Sequence, residues 1–143
     1  MTPPTYFQSK LANLMFTYEL QRRLADTTIV AVAAHPGNAH TNFAREMHPA
    51  PRYLTSSRAR FLTWWLLQTP ELGALGTLRA ATDPAAQGGE YYGPPGRARF
   101  TGYPERVESS VRSHDVQAQQ RLWQESQELT GVVYPVGPVA ARP

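Results

Sequence analysis

Cysteine is absent from the 143 residues, so neither a disulfide framework nor a thiolate metal site can form, and thiol redox chemistry is excluded. No window approaches the roughly 18 uninterrupted apolar residues of a membrane span, and the N-terminus has neither a basic n-region nor an apolar h-region. A soluble, cytoplasmic protein is the expectation. Blocks of Lys or Arg are also missing. The formal charge of +3 and the pI near 9.5 come from arginines spread along the chain, which argues against a nucleic-acid partner. Repeats of about 20 to 50 residues and a Gly-rich phosphate loop are lacking too. What remains is ordinary for one globular domain, with 41% hydrophobic and 17% charged residues.

The stretch that organises the chain is Tyr6-Phe7-Gln8-Ser9-Lys10-Leu11-Ala12-Asn13-Leu14, at the front of an amphipathic helix predicted from Thr5 to Leu24. Thr5 with Gln8 makes a capping box, and the preceding Pro3-Pro4 is expected to stop the helix from extending backward. Phe7, Leu11, Leu14, Met15 and Tyr18 recur at helical spacing as one apolar face, suited to a core or a subunit interface. Tyr6 and Lys10 are four apart, so they share a face about 6 Å apart along the axis. A cation beside a phenol favours the phenolate and suits the pair to proton transfer, although solvated Tyr and Lys at this spacing occur on many helices.

Further along, Thr28-Ile29-Val30-Ala31-Val32-Ala33-Ala34 is a β-branched apolar run without polar alternation, which predicts a strand buried on both faces of a parallel sheet. It ends in the turn His35-Pro36-Gly37-Asn38-Ala39-His40-Thr41, at the carboxyl end where ligands of open α/β sheets sit. His35 and His40 read as surface or packing histidines, since no carboxylate cluster accompanies them to make a metal site. An irregular stretch with Pro49 and Pro51 leads into Phe61-Leu62-Thr63-Trp64-Trp65-Leu66-Leu67. This is too short to span a bilayer and reads as a core or pocket helix, with a membrane-surface anchor as the less favoured alternative.

Thr69-Pro70-Glu71 is an N-cap, a proline at the first helical position and an acid in the first turn. Leu72, Leu75, Leu78 and Ala81 are the expected apolar face, and Asp83-Pro84 the stop. A short strand over about 89 to 93 follows between glycine turns. Strand-plus-loop is the preferred reading through Tyr103, ahead of a basic-aromatic nucleic-acid platform. Residues 114 to 129 predict a polar surface helix closed by Gly131, and residues 132 to 143 a poorly ordered tail.

Tyr6-x-x-x-Lys10, Ser9 to Leu14 and Tyr18-Glu19-Leu20-Gln21-Arg22-Arg23-Leu24 together resemble the active-site helix of the short-chain dehydrogenase/reductase family, in its retinol-dehydrogenase-like branch. The Pro36-Gly37 turn with Thr41 resembles that family's Pro-Gly-x-x-x-Thr motif, and Gly88 to Pro94 its last strand. The match runs from about Tyr6 to Pro94. The resemblance implies an α/β fold, the C-terminal part of a Rossmann-type doubly wound parallel sheet whose N-terminal dinucleotide-binding half is missing. Residues 1–103 would be that half-domain and 104–143 a surface helix and tail.

It also implies an oxidoreductase that interconverts a lipophilic alcohol and its carbonyl. Tyr6 would be the general acid/base and Lys10 the ligand of the nicotinamide ribose. Pro36, Gly37, Ala39 and Thr41 would contact the nicotinamide, with Ala39 where a Val or Ile is usual. The cofactor would be NAD(P), with the branch pointing to NADP, and a homo-oligomer would form through helix 5–24. The family's Gly-rich turn and catalytic Ser would precede Tyr6, where only five residues stand. Bringing a phenol from about 10 to near neutrality takes roughly 3 to 4 kcal/mol, whereas an exposed i,i+4 pair supplies about 0.2 to 0.5 kcal/mol. Lys10 alone does not activate Tyr6, and the isolated chain is expected to be inert. The alternative is a non-enzymatic remnant or dimerisation module of the same fold.

Overall fold

The computed structural model describes residues 3–38, 68–95 and 100–136. Its elements are α1 (Pro3–Arg23), β1 (Ala33–Ala34), α2 (Pro70–Thr82), β2 (Tyr91–Gly93), β3 (Glu105–Arg106), a 3-10 turn (Val111–His114) and α3 (Val116–Thr130). They divide between two compact units. One comprises Met1–Ala33, Ala86–Glu90 and Glu108–Pro143, the other Ala34–Ala85 and Tyr91–Val107.

In the first unit α1 begins at Pro3, two residues before the expected capping box. Prolines in a first helical turn lose nothing by lacking an N–H, because those amides have no intrahelical acceptor. The buried arc of α1 matches the expected stripe only in part. Met15 of that stripe is buried, but so is Glu19 outside it, and Phe16 stacks on Trp123, whereas Phe7 is 69% exposed. At about 100° per residue, the Phe7-Leu11-Leu14 row lies rotated away from the arc that meets α3.

Helix α3 is no mere surface helix, as its sparse apolar residues had suggested. Trp123 is 1% exposed and sits against α1, with its ring 5.0 Å from Phe16 and 4.5 Å from the Arg23 guanidinium carbon. One indole supplies the area that several aliphatic side chains would otherwise provide. Asp115 caps the helix by accepting from Ala118 N at 3.1 Å, and Gly131 ends it at φ 68. The expected tail is likewise partly placed: Tyr134 packs edge-on against Phe16 at 6.1 Å, while residues 137–143 lie outside the described residues.

The sheet has the order β1-β2-β3. Ala33 N donates to Glu90 O and His35 N to Tyr92 O, so both partners advance by two in the same direction, as parallel strands do. The expected strand over 28–34 is shorter than its apolar run, and its burial on both faces is overturned: Ile29 is 61% and Val30 51% exposed. An apolar run forms strand only where a neighbour accepts its ladder bonds, and among the described residues β1 has one neighbour, β2. The strand expected near 89 to 93 is present as β2. Its antiparallel partner β3, with Tyr92 opposite Arg106, was not anticipated, since Glu-Arg carries no strand signal.

In the second unit α2 starts and stops where its caps predict. Thr69 Oγ1 accepts from Leu72 N at 3.3 Å and Asp83 N donates to Arg79 O at 2.9 Å. The face it buries is not the leucine row. Gly73 and Gly76 are buried and Leu78 is exposed, because the helix approaches the strand too closely for side chains. A Cβ on Gly76 would stand 3.3 Å from His35 O and 3.9 Å from Ala34 Cβ.

Candidate active site

Tyr6 and Lys10 lie on consecutive turns of α1, as their spacing requires, with the Lys10 ammonium 5.4 Å from the centre of the Tyr6 ring. Tyr6 is half-buried and Lys10 exposed. The Phe7 ring meets Tyr6 edge-on at 5.7 Å, and Ser9 Oγ donates to Tyr6 O at 2.7 Å, which ties the hydroxyl of Ser9 to the turn below it. The ammonium therefore lies within cation–π range of the Tyr6 ring, an arrangement worth about 0.5–1 kcal/mol at an exposed position.

The Pro-Gly turn belongs to the second unit. Gly37 adopts φ +63, and a Cβ there would stand 2.5 Å from Phe100 O and 2.7 Å from Pro94 Cγ. Both the backbone angle and the space require glycine. The turn is held by Gln68, which sequence reading did not single out. Its carboxamide donates to Pro36 O and accepts from Gly102 N at 3.0 Å, while its backbone N donates to Asn38 O at 2.9 Å. Asn38 N in turn donates to Phe100 O at 2.7 Å. A buried glutamine with both ends of its amide used fixes a loop by satisfying backbone groups that water cannot reach. No periodicity marks such a residue. The one signal was its place immediately before the Thr69-Pro70 cap.

Of the candidate residues, the structure thus brings Tyr6 and Lys10 together in one unit and describes Pro36 and Gly37 in the other; Ala39 and Thr41 fall outside the described residues. Also outside them are His40 and the Trp64-Trp65 stretch. Among the described residues no group of His, Asp and Glu is arranged to hold a metal, and no helix is long and apolar enough to cross a membrane.

No protein-family model matches the chain. Individual relatives do. Human retinol dehydrogenase 13 is 32% identical over 136 residues, covering 94% of this chain and 38% of the relative. Human retinol dehydrogenase 14 is 31% identical over 128 residues, and human polyprenol dehydrogenase 34% identical over 133, each match covering 90% of this chain. A crystal structure of an uncharacterized protein from Mycobacterium paratuberculosis superposes with a TM-score of 0.64 at 38% identity, over 92% of this chain and 40% of that one. The chain belongs to the short-chain dehydrogenase/reductase family. It spans little more than a third of the length of the curated dehydrogenases it matches, and its three-stranded sheet with flanking helices is a partial Rossmann-type fold. The expected family and fold class are therefore shown. As a short-chain dehydrogenase/reductase segment the chain comes from a family of oxidoreductases.

Proposed function

We propose that the chain is the active-site portion of an NAD(P)-dependent oxidoreductase that interconverts a lipophilic alcohol and its carbonyl. The observation that carries this reading is the Lys10 ammonium held 5.4 Å from the Tyr6 ring, within a chain of this family. Tyr6 Oη takes the proton from the alcohol, or returns it to the carbonyl oxygen. Lys10 contributes positive charge beside the phenol and a donor for the cofactor ribose. Pro36, Gly37, Ala39 and Thr41 contact the nicotinamide, and Gln68 fixes the turn at Pro36 to Asn38. A lipophilic substrate agrees with relatives named for retinol and polyprenol.

NADP is our choice between the two cofactors, whose nicotinamide when bound exchanges a hydride with the substrate carbon. The residues present fit the nicotinamide end alone: a cationic donor, a phenol and a glycine turn with no room for a Cβ. Nothing in the sequence supplies the Gly-rich turn that receives a pyrophosphate. We therefore also propose that residues 1–103 are one half of the catalytic domain, with 104–143 covering α1, and that the chain by itself is inert.

Fluorescence titration with NADPH tests the reading. No saturable binding is expected from the chain alone up to about millimolar cofactor. When the chain is joined to a Gly-rich first half from a relative, binding and alcohol oxidation are expected, and Tyr6→Phe should abolish the oxidation while leaving NADPH bound. Micromolar binding by the lone chain would refute its inertness, and full activity of Tyr6→Phe in the joined protein would refute the role of the phenol. The second reading, a dimerisation module that has lost chemistry, draws on the exposed Phe7 of α1. It predicts a stable dimer and a joined protein that binds no cofactor.

A further inference from the structure

The turn after β1 depends on one buried carboxamide. Gln68 is 6% exposed, and its side chain bridges Pro36 O and Gly102 N while its backbone N reaches Asn38 O. Of the carbonyls of Pro36, Gly37 and Asn38, only that of Gly37 has no hydrogen bond among the described residues. Gly37 is itself confined between the Phe100 carbonyl and the Pro94 ring. The turn therefore has one setting while the bridge is made.

The elements around the turn do not need that side chain. Helix α2 keeps its Thr69 cap and its close approach to His35 O through Gly76, and β1 keeps its bonds to β2, whatever stands at 68. What the carboxamide controls is the setting of Pro36 against Gly102. Apart from it, the two stretches are tied by Asn38 N to Phe100 O at 2.7 Å.

The chemistry that fits position 68 is narrow. Pro36 O asks for a donor and Gly102 N for an acceptor, side by side and without charge. A carboxylate has acceptors only, and one of its oxygens would face the Pro36 carbonyl. A protonated carboxylic acid donates from one oxygen and accepts at the other, so it copies the amide. An apolar side chain of the same length leaves Pro36 O and Gly102 N without that partner.

We propose, resting on the oxidoreductase reading above, that Gln68 is a positioning residue for hydride transfer, acting through Pro36 and Gly37 rather than by its own contact with cofactor or substrate. On that reading the turn meets the nicotinamide end alone, while the pyrophosphate is received by a Gly-rich turn elsewhere. Displacing the turn therefore slows transfer much more than it weakens cofactor binding, because a small misplacement of the reacting ring is costly in rate.

Gln68→Met and Gln68→Glu test the role. In the full chain without cofactor, hydrogen exchange at Gly102 N, taken relative to the intrinsic rate at each pH, reads the bridge itself. Protection is expected in the parent and lost in Gln68→Met; in Gln68→Glu it should return as pH falls from about 8 to about 5 and the acid is protonated. In the joined protein, Gln68→Met should lower kcat about 10- to 100-fold while the NADPH Kd stays within about threefold. The kcat of Gln68→Glu, divided by that of the parent at the same pH, should climb over the same interval. Unchanged protection at Gly102, or an unchanged kcat in Gln68→Met beside an inactive Tyr6→Phe, would overturn the proposal and spare the oxidoreductase reading. A joined parent without cofactor binding or oxidation would defeat that reading and this role with it. If Gln68→Met loses NADPH binding as well, Gln68→Glu decides, and a rate ratio flat with pH overturns the proposal.

Discussion

Arg23 donates Nε to Glu19 at 2.7 Å while its guanidinium carbon lies 4.5 Å from the centre of the Trp123 ring. The fully buried carboxylate of α1 is thereby answered by a cation that also covers the largest aromatic of α3. Arg22 completes the arrangement, bonding Glu19 through one nitrogen and the Gln119 carboxamide through the other, and Gln119 passes its own amide to Ser113 O at 2.6 Å. Both oxygens of the Glu19 carboxylate and both ends of the Gln119 carboxamide are thus partnered, the condition under which buried charge is tolerated.

Removing one member of that network should cost more than removing its charge entirely. Glu19→Ala leaves two arginines facing a void and is expected to lower stability by about 3 to 5 kcal/mol, the range for breaking a buried pair. A triple Glu19→Leu, Arg22→Leu, Arg23→Met variant should lie within about 1 kcal/mol of the parent or above it. Urea denaturation followed by Trp fluorescence gives both numbers. Equal losses in the two variants would show that the charges contribute nothing beyond packing.

Two glycines with positive φ separate strain from space. Gly37→Ala meets both a left-handed backbone and the Phe100 carbonyl, so a loss at the upper end of about 1 to 3 kcal/mol is expected. Gly131→Ala has the same backbone demand with nothing within 4 Å, and about 1 kcal/mol should suffice. Thermal unfolding of the two variants side by side decides whether the crowding at residue 37 matters.

Helix α2 should respond to acid. The Ala85 amide and then the Arg79 side chain hold the Asp83 carboxyl below its ordinary 3.8, and Glu71 is held below 4.5 by its own backbone amide and the Thr69 hydroxyl. In both cases the folded value is depressed, so the charged form favours the fold. The contribution is present in full above the ordinary carboxylate values and is lost as pH falls from them down through the lowered folded ones. Amide signals of Leu72 and Ala85 recorded from pH 6 to 2.5 should weaken over that interval. Asp83→Asn should remove the acid dependence at Ala85 alone.

Self-association offers a contest between two surfaces. Ile29 and Val30 are exposed next to β1, which among the described residues is an edge strand, and Phe7 is exposed on α1. An apolar strand edge is a template for another strand. Val30→Lys is expected to shift light-scattering mass toward the monomer, with Phe7→Lys doing so only if α1 carries the dimer. Unchanged mass in both variants would rule out both surfaces.

Much of this was legible where the signal is local. Thr69, Pro70 and Asp83 set the ends of α2, and Gly131 sets that of α3, because a cap is decided by one residue and the backbone next to it. Tyr6 and Lys10 were placed together for the same reason, one turn of helix. The misses are long-range. Nothing near Trp123 announces that Phe16 and Arg23, about a hundred residues earlier, will close over it, nor does Gln68 carry any mark of the loop it holds. The extent of β1 was overread because β-branched composition reports compatibility with a sheet, while the neighbours that make one are settled elsewhere.

Gly93 on β2 is the residue on which the His35 ring rests, and an added methyl there would fall inside the imidazole. The order of change at this pair therefore matters. A lineage that trims His35 first leaves Gly93 free to grow later, whereas one that enlarges Gly93 first must displace the His35 ring. Among descendants of this sequence, a side chain at 93 should be found only beside a small residue at 35, a signature of ancestry written in two columns.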